Sequence, residues 1–164
     1  MGGLTALELA HRAPHAVASF INIKGNLAPE DCFITRQILS HPETELHTFL
    51  DDFINRTLQS PFYASGIYAA GLRDRVRPEA IKGIFESMVE LSDNGDLITK
   101  FISVPFPRMF MFSEQHATLT YLPVLASNGV ELAEIPGAGH FPMYSNPVAM
   151  WDVISRFLGR VDLD

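Results

Sequence analysis

The chain has 164 residues, of which 47% are hydrophobic and 19% are charged, and its formal net charge is −7 at pH 7. This is the composition of one globular domain with an ordinary core, and it excludes a disordered, collagen-like or coiled-coil chain. No basic cluster is dense enough to follow a phosphate backbone, so a nucleic-acid partner is not expected.

Cysteine usage and hydropathy indicate a cytoplasmic protein. Cys32 is the single cysteine, so no intramolecular disulfide can form, and a reducing compartment is the natural setting. No apolar stretch approaches the roughly 18 residues that a membrane-crossing helix needs, and no secretory signal is recognisable. We therefore expect no membrane partner.

The first two elements are predicted to be a helix and a strand. Leu4, Leu7 and Leu9 give an apolar helix face over residues 2–13, and Pro14 ends it. The apolar run at 17–23 then favours a strand that is buried on both faces, as strands of parallel sheets are.

The middle of the chain is predicted to be helical from about residue 27 to residue 104. Apolar residues recur there at spacings of three and four, and Pro42, Pro61 and Pro78 interrupt the pattern. This pattern indicates a block of four or five helices.

The last third of the chain returns to alternating strands and helices. Strands are predicted at 108–113 and 130–135, with a helix at 118–127 between them and a final helix at 147–158. Trp151 on that final helix is predicted to lie in the core. Alternation on both sides of a helical block predicts an α/β domain with a helical insertion.

A histidine stands on a glycine-flanked loop directly after the last predicted strand. The loop reads Gly-Ala-Gly-His-Phe-Pro-Met over residues 137–143, with the histidine at position 140. Ligands of open α/β folds bind at the carboxyl edge of the sheet, where such a loop can present an imidazole. His140 is therefore a candidate catalytic residue.

The opening Met1-Gly2-Gly3-Leu4, which runs into a helix, resembles the second half of the nucleophile elbow Gly-x-Ser-x-Gly of the α/β-hydrolase family. On that pattern Met1 follows the nucleophilic serine, and the serine and everything before it would be absent. With the loop of His140 and the element order, the chain resembles the C-terminal part of an α/β-hydrolase fold: about three parallel core strands with flanking helices, and a helical cap. The resemblance implies a core formed by 1–26 and 105–164, and a cap formed by 27–104.

The resemblance also implies catalytic roles for individual residues. His140 would be the catalytic histidine and the backbone N–H of Met1 would belong to the oxyanion hole. The triad acid is left open: Glu114 follows the strand that usually precedes it, although His116 occupies the usual aspartate position, and Asp31 is the alternative. Neither a cofactor nor a metal is implied.

An aromatic-rich cap could line an apolar pocket or simply pack against the core. The aromatic residues concerned are Phe33, Phe49, Phe53, Phe62, Tyr63, Tyr68, Phe85 and Phe101. Among them Phe33 is predicted to contact substrate, together with Phe141 and Tyr144 beside the catalytic histidine.

The resemblance implies an esterase-like hydrolase that acts on a small apolar ester, present here as a truncated chain that lacks its nucleophile and is inactive. The alternatives are a non-catalytic binding module of the same fold, and a haloalkane dehalogenase or lyase. In the truncated fold the strand at 17–23 would lack a neighbour, so a homodimer through that sheet edge is expected.

Overall fold

A parallel sheet of three strands organises the residues that the computed structural model describes, 1–61 and 65–161. The strands are β1 (Phe20–Ile23), β2 (Arg108–Ser113) and β3 (Glu131–Ile135), in the spatial order β1-β2-β3. Phe20 pairs with Arg108 at the start of β1, and Ser113 pairs with Ile135 at the end of β2. The carboxyl ends of β2 and β3 therefore lie side by side.

Helices precede, separate and follow the strands. They are α1 (Gly2–Arg12), α2 (Phe33–Leu39), α3 (Leu46–Leu58), α4 (Ser65–Arg75), α5 (Pro78–Asn94), α6 (Leu97–Ser103), α7 (Leu122–Ser127), α8 (Pro142–Ser145) and α9 (Pro147–Leu158). Helices α2 to α6 all lie between β1 and β2, which confirms the predicted α/β class with three parallel strands and a helical insertion. The exact division into core and cap stays a prediction.

One face of the sheet is covered by α1, α6 and α7. Leu4 and Leu7 of α1 are 1% and 0% exposed, in one core cluster with aromatic residues of β1 and β2. Phe101 of α6 meets Phe20 of β1 edge to face, with ring centroids 5.6 Å apart. Leu9, predicted to share the apolar face of α1, is instead 60% exposed, because it is offset from the Leu4–Leu7 stripe around the helix.

Helix α9 covers the opposite face. Three of its residues, Met150, Ile154 and Phe157, are buried against β2 and β3. The prediction that Trp151 lies in the core is wrong, since this side chain is 60% exposed. It follows Met150 by one residue, and one residue turns the side chain by about 100° around the helix axis.

Two boundaries differ from the predicted ones for local reasons. Strand β1 begins at Phe20 rather than at residue 17, because Pro14–Ala16 forms a 3-10 turn. Residues 17–19 connect this turn to the strand. Helix α7 begins at Leu122 rather than at residue 118, with Pro123 in its first turn, where a missing N–H costs nothing. None of the described helices is both long and apolar enough to cross a membrane.

Candidate functional site

The loop that carries His140 is held in place at the carboxyl end of β3. Gly137 has φ +61°, a left-handed conformation that glycine adopts without strain. The Ser145 hydroxyl accepts a hydrogen bond from the Gly139 N–H at 3.1 Å and donates one to the Phe141 carbonyl at 3.0 Å. Short local bonds of this kind fix the backbone on both sides of the histidine.

His140 contacts a second histidine from the neighbouring loop. His140 Nδ1 lies 3.4 Å from His116 Nε2, and the ring centroids are 5.3 Å apart. His116 Nδ1 in turn lies 2.7 Å from Oγ of Ser113, the buried last residue of β2. The register of β2 and β3 brings the two loops together, and it produces a chain of three polar side chains that ends at His140.

With the amide of the exposed Gln115 oriented as in the structure, hydrogen bonding along this chain has one consistent direction. Its Nε2 lies 3.3 Å from His116 Nε2, and because an amide nitrogen only donates, His116 Nε2 is the acceptor. His116 therefore carries its proton on Nδ1 and donates it to Ser113 Oγ. His140 then donates from Nδ1 to His116, which leaves a lone pair on its Nε2.

Both imidazoles titrate well below the ordinary range. His140 is exposed at the carboxyl edge, and partial loss of hydration of its imidazole, followed by the positive charge of Lys24, lowers its pKa to about 4. Loss of hydration, then Lys24 and then His140, lower the pKa of His116 to about 4. The carboxylate of Asp31 opposes both shifts without reversing them. Both rings are therefore neutral at pH 7, which is the state that a proton acceptor requires.

Glu114 lies on the loop after β2 but does not contact His140. Its Oε2 accepts a hydrogen bond of 3.4 Å from the backbone N–H of Gly137, which ties the two loops together. The Nδ1 atom of His140 forms its hydrogen bond with His116 instead. The assignment of Glu114 as the catalytic acid stays a prediction.

Asp31, the alternative acid, forms a buried ion pair with Lys24. The distance from Lys24 Nζ to Asp31 Oδ1 is 2.5 Å, and the two side chains are 6% and 0% exposed. Lys24 follows β1 directly and has φ +46°, a conformation that costs a residue with a side chain about 1 kcal/mol or more.

The remaining acceptor sites of Asp31 are also occupied. Its Oδ2 accepts the backbone N–H groups of Leu27 at 2.8 Å and Ala28 at 3.1 Å, and the Tyr121 hydroxyl donates to Oδ1 at 3.1 Å. Asp31 therefore acts on the two imidazoles through space and not by a hydrogen bond.

Met1, the candidate oxyanion-hole residue, precedes the first turn of α1, and its carbonyl accepts the Thr5 N–H at 3.1 Å. This end of α1 lies against the end of β1, since a Cβ placed on Gly3 would come 2.8 Å from the Cα of Gly25. Nothing lies within 4 Å of a Cβ placed on Gly2, the predicted closing glycine. The close approach is therefore made at Gly3.

Two of the three predicted substrate contacts lie beside His140. The ring of Phe141 meets that of His140 edge to face at 4.6 Å, and the Tyr144 ring lies 6.0 Å from Phe141. Tyr68 of α4 packs on Phe141 at 4.3 Å, which brings the helical insertion to the edge of the site. Phe33, at the start of α2, is 67% exposed and has no recorded contact with this cluster.

The aromatic residues of the helical insertion divide between a cavity and the core. Phe49, Phe53, Tyr68 and Phe85 line a cavity of about 430 Å³ among α2, α3, α4 and α5. Phe101 packs in the core against the sheet. Phe62 and Tyr63 lie outside the described residues.

Sequence reasoning located His140 but gave His116, Gln115 and Lys24 no role. Their positions after the strands could have identified them, because each follows the last residue of a parallel strand by one to three positions. Adjacent parallel strands end at the same edge of the sheet, so these side chains are expected near His140. Within residues 1–61 and 65–161, no group of three His, Cys, Asp or Glu side chains could hold a metal ion.

Comparison with known proteins gives a structural match of low sequence identity. No protein-family model matches the chain, and no curated protein matches it. Among solved structures the chain is similar to MGS-M2, described as an alpha/beta hydrolase enzyme from a Medee basin deep-sea metagenome library, with 16% sequence identity and a TM-score of 0.48. The match covers 99% of this chain, which spans 64% of the length of that protein.

Proposed function

We propose that this chain provides the histidine-bearing part of an α/β-hydrolase active site that transfers the acyl group of a carboxylic ester to water. The observation that carries the proposal is the state of His140. It lies at the carboxyl edge of a parallel sheet, is neutral at pH 7, and has Nδ1 engaged while Nε2 has no partner among the described residues. This is the arrangement that a general base needs.

In this mechanism His140 moves one proton in each half-reaction. Its Nε2 takes the proton of a nucleophilic hydroxyl as that oxygen attacks the ester carbonyl, and then gives the proton to the leaving alkoxide. Water repeats the sequence on the acyl intermediate. On the resemblance, the nucleophile would precede Met1, and the Met1 backbone N–H would be the oxyanion donor.

His116 would orient His140 throughout the cycle. Its Nε2 accepts the Nδ1–H of His140 in both the neutral and the protonated form of that ring. A neutral acceptor holds the ring in position but stabilises the imidazolium less than a carboxylate does.

The test compares hydrolysis of p-nitrophenyl butyrate by the complete gene product with and without His140→Ala. Loss of a general base that acts with a nucleophile lowers kcat by about a thousandfold or more. His15→Ala, a change on the exposed surface, is the matched control and should be silent. For residues 1–164 alone we expect no turnover above buffer, because no described hydroxyl contacts His140 Nε2. Ester turnover that survives His140→Ala within tenfold would overturn the proposal.

A non-catalytic binding module is the second candidate. It is favoured by one observation, that no described carboxylate contacts the ring of His140. A complete gene product without any ester turnover, but with saturable binding of the same ester beside Phe141, would decide for this function.

A further inference from the structure

A cavity inside the helical insertion is separate from the site at His140. This cap cavity has a volume of about 430 Å³, is partly open to solvent, and is lined by residues of α2, α3, α4, α5 and the α4–α5 connection. Most of its lining is aliphatic or aromatic, including Ile38, Leu46, Phe49, Leu50, Ile81 and Phe85. Its volume is within the range of small-molecule pockets, and none of its lining residues belongs to the sheet or to the loop of His140.

The charged groups of the cap cavity all have one sign. Arg75 and Arg77 line it, and no carboxylate does. Both arginines are exposed to solvent, and neither guanidinium forms an ion pair or hydrogen bond with the described residues, although Asp74 and Glu79 are close in sequence. An apolar cavity with two arginines that lack a partner is complementary to an anion that carries an apolar chain.

The lining of the cavity extends along α4. Tyr68 and Arg75 both line it and are seven residues apart in that helix, which corresponds to about 10 Å along the axis. Burial raises the pKa of the Tyr68 hydroxyl above its usual value, so this end stays uncharged. The positive charge is therefore confined to the end where α4 meets α5.

We propose that the cap cavity binds a medium-chain carboxylate. The hydrocarbon chain would lie between Phe49, Leu50 and Ile81, where its burial provides the driving force. The carboxylate would be held by Arg75 and Arg77, because a guanidinium matches the geometry of a carboxylate with two parallel N–H donors.

This proposal does not depend on the proposed function. A His140→Ala protein should bind the carboxylate as the unchanged chain does, since His140 does not line the cavity. Decanoate binding together with no ester turnover by a chain that contains the nucleophile would refute only the esterase, and ester turnover without decanoate binding would refute only this site.

The experiment is isothermal titration of residues 1–164 with decanoate and, separately, with decan-1-ol, which has the same chain length and no charge. We expect saturable binding of decanoate with one site, and weaker binding of the alcohol. The double variant Arg75→Gln/Arg77→Gln should weaken decanoate binding about tenfold or more, because hydrogen bonds to a charged group are lost. Arg73→Gln, on α4 but outside the lining, is the matched control and should change nothing.

A second variant tests the apolar part of the site. Leu50→Trp fills the cavity, so it should abolish binding of both ligands while circular dichroism shows a folded chain. Equal affinity for decanoate and the alcohol, or unchanged binding after either substitution, would overturn the proposal. So would the absence of decanoate binding by the folded, unchanged chain.

Discussion

His116 differs from the acid of the resembled family mainly in charge. A carboxylate beside a catalytic histidine raises the basicity of the imidazole, whereas a neutral imidazole supplies only an acceptor. Loss of hydration and the positive charge of Lys24 lower the pKa of His140 to about 4. With this pKa the imidazole of His140 remains unprotonated, and so available as a base, even at mildly acidic pH. Its driving force for accepting a proton at pH 7 is smaller than that of an ordinary histidine.

The tautomer of His140 is a direct prediction of the hydrogen-bond chain. At pH 7, ¹⁵N chemical shifts should show a protonated Nδ1 and an unprotonated Nε2 on His140, because Gln115 makes His116 Nε2 an acceptor. Gln115→Met should remove this preference, and Glu114→Gln, one residue away, should not. A protonated Nε2 in the unchanged chain would contradict the assignment.

The two lowered pKa values predict a dependence of stability on pH. The folded pKa of both His116 and His140 is about 4, below the ordinary 6.5. As the pH falls below 6.5, the unfolded chain binds protons at these residues before the folded chain does, so the free energy of unfolding decreases between pH 6.5 and pH 4.

Urea unfolding across that range measures the effect. The variant His116→Asn/His140→Asn should show a flatter dependence than the unchanged chain, and His15→Asn should show the same dependence. An equally steep decrease in the double variant would assign the acid sensitivity to other groups.

At the scale of elements, the contact of α1 with the end of β1 depends on the lack of a side chain at residue 3. Gly3→Ala brings a Cβ within 2.8 Å of the Gly25 backbone, so α1 must shift, and overpacking of this kind costs about 1–3 kcal/mol. Gly2→Ala meets nothing within 4 Å and should be neutral or slightly stabilising. Thermal unfolding of the two variants compares them, and equal Tm values would show that α1 moves freely against β1.

Elements with a clear apolar period were predicted closely from the sequence. The predicted bounds of α9 match the structure at both ends, and those of β2 and α1 agree within a residue. These elements bury one defined face, so their apolar residues recur in the sequence with the period of the element. The start of α7 and the short helix α8 were not found, since they depend on turns with little apolar content. The position of His140 was predicted from its glycine loop, but its contact with His116 was not, because the register of β2 and β3 creates that contact.

At the scale of the whole molecule, β1 forms an edge of the described sheet. The Phe20 N–H donates to the Pro107 carbonyl directly before β2, and the Lys24 N–H donates to the Met111 carbonyl in β2. The alternation of a parallel ladder therefore directs the backbone groups of Ile21 and Ile23 to the other edge. Both side chains are only partly buried. An apolar edge with free donors is a surface on which a second strand can pair.

We therefore predict that residues 1–164 form a homodimer through β1. Light scattering after size exclusion should give twice the mass of the chain at micromolar concentration. Ile21→Pro removes a donor on the free edge and should give a folded monomer, whereas Phe20→Pro removes a bond to β2 and should destabilise the sheet. A stable monomer of the unchanged chain would show that this edge is covered.

The buried carboxylate of Asp31 has a mechanical consequence. It joins Lys24 at the end of β1, the backbone at residues 27–28 and Tyr121 before α7, so the first residues of the helical insertion are pinned to the sheet at several points. We therefore expect an opening of the insertion over His140 to pivot about this point, with the largest displacement at α3 and α4. Amide hydrogen exchange should accordingly be slowest at Leu27 and Ala28 and faster along α4. The contact of Tyr68 in α4 with Phe141 is the one that would have to break for the insertion to open.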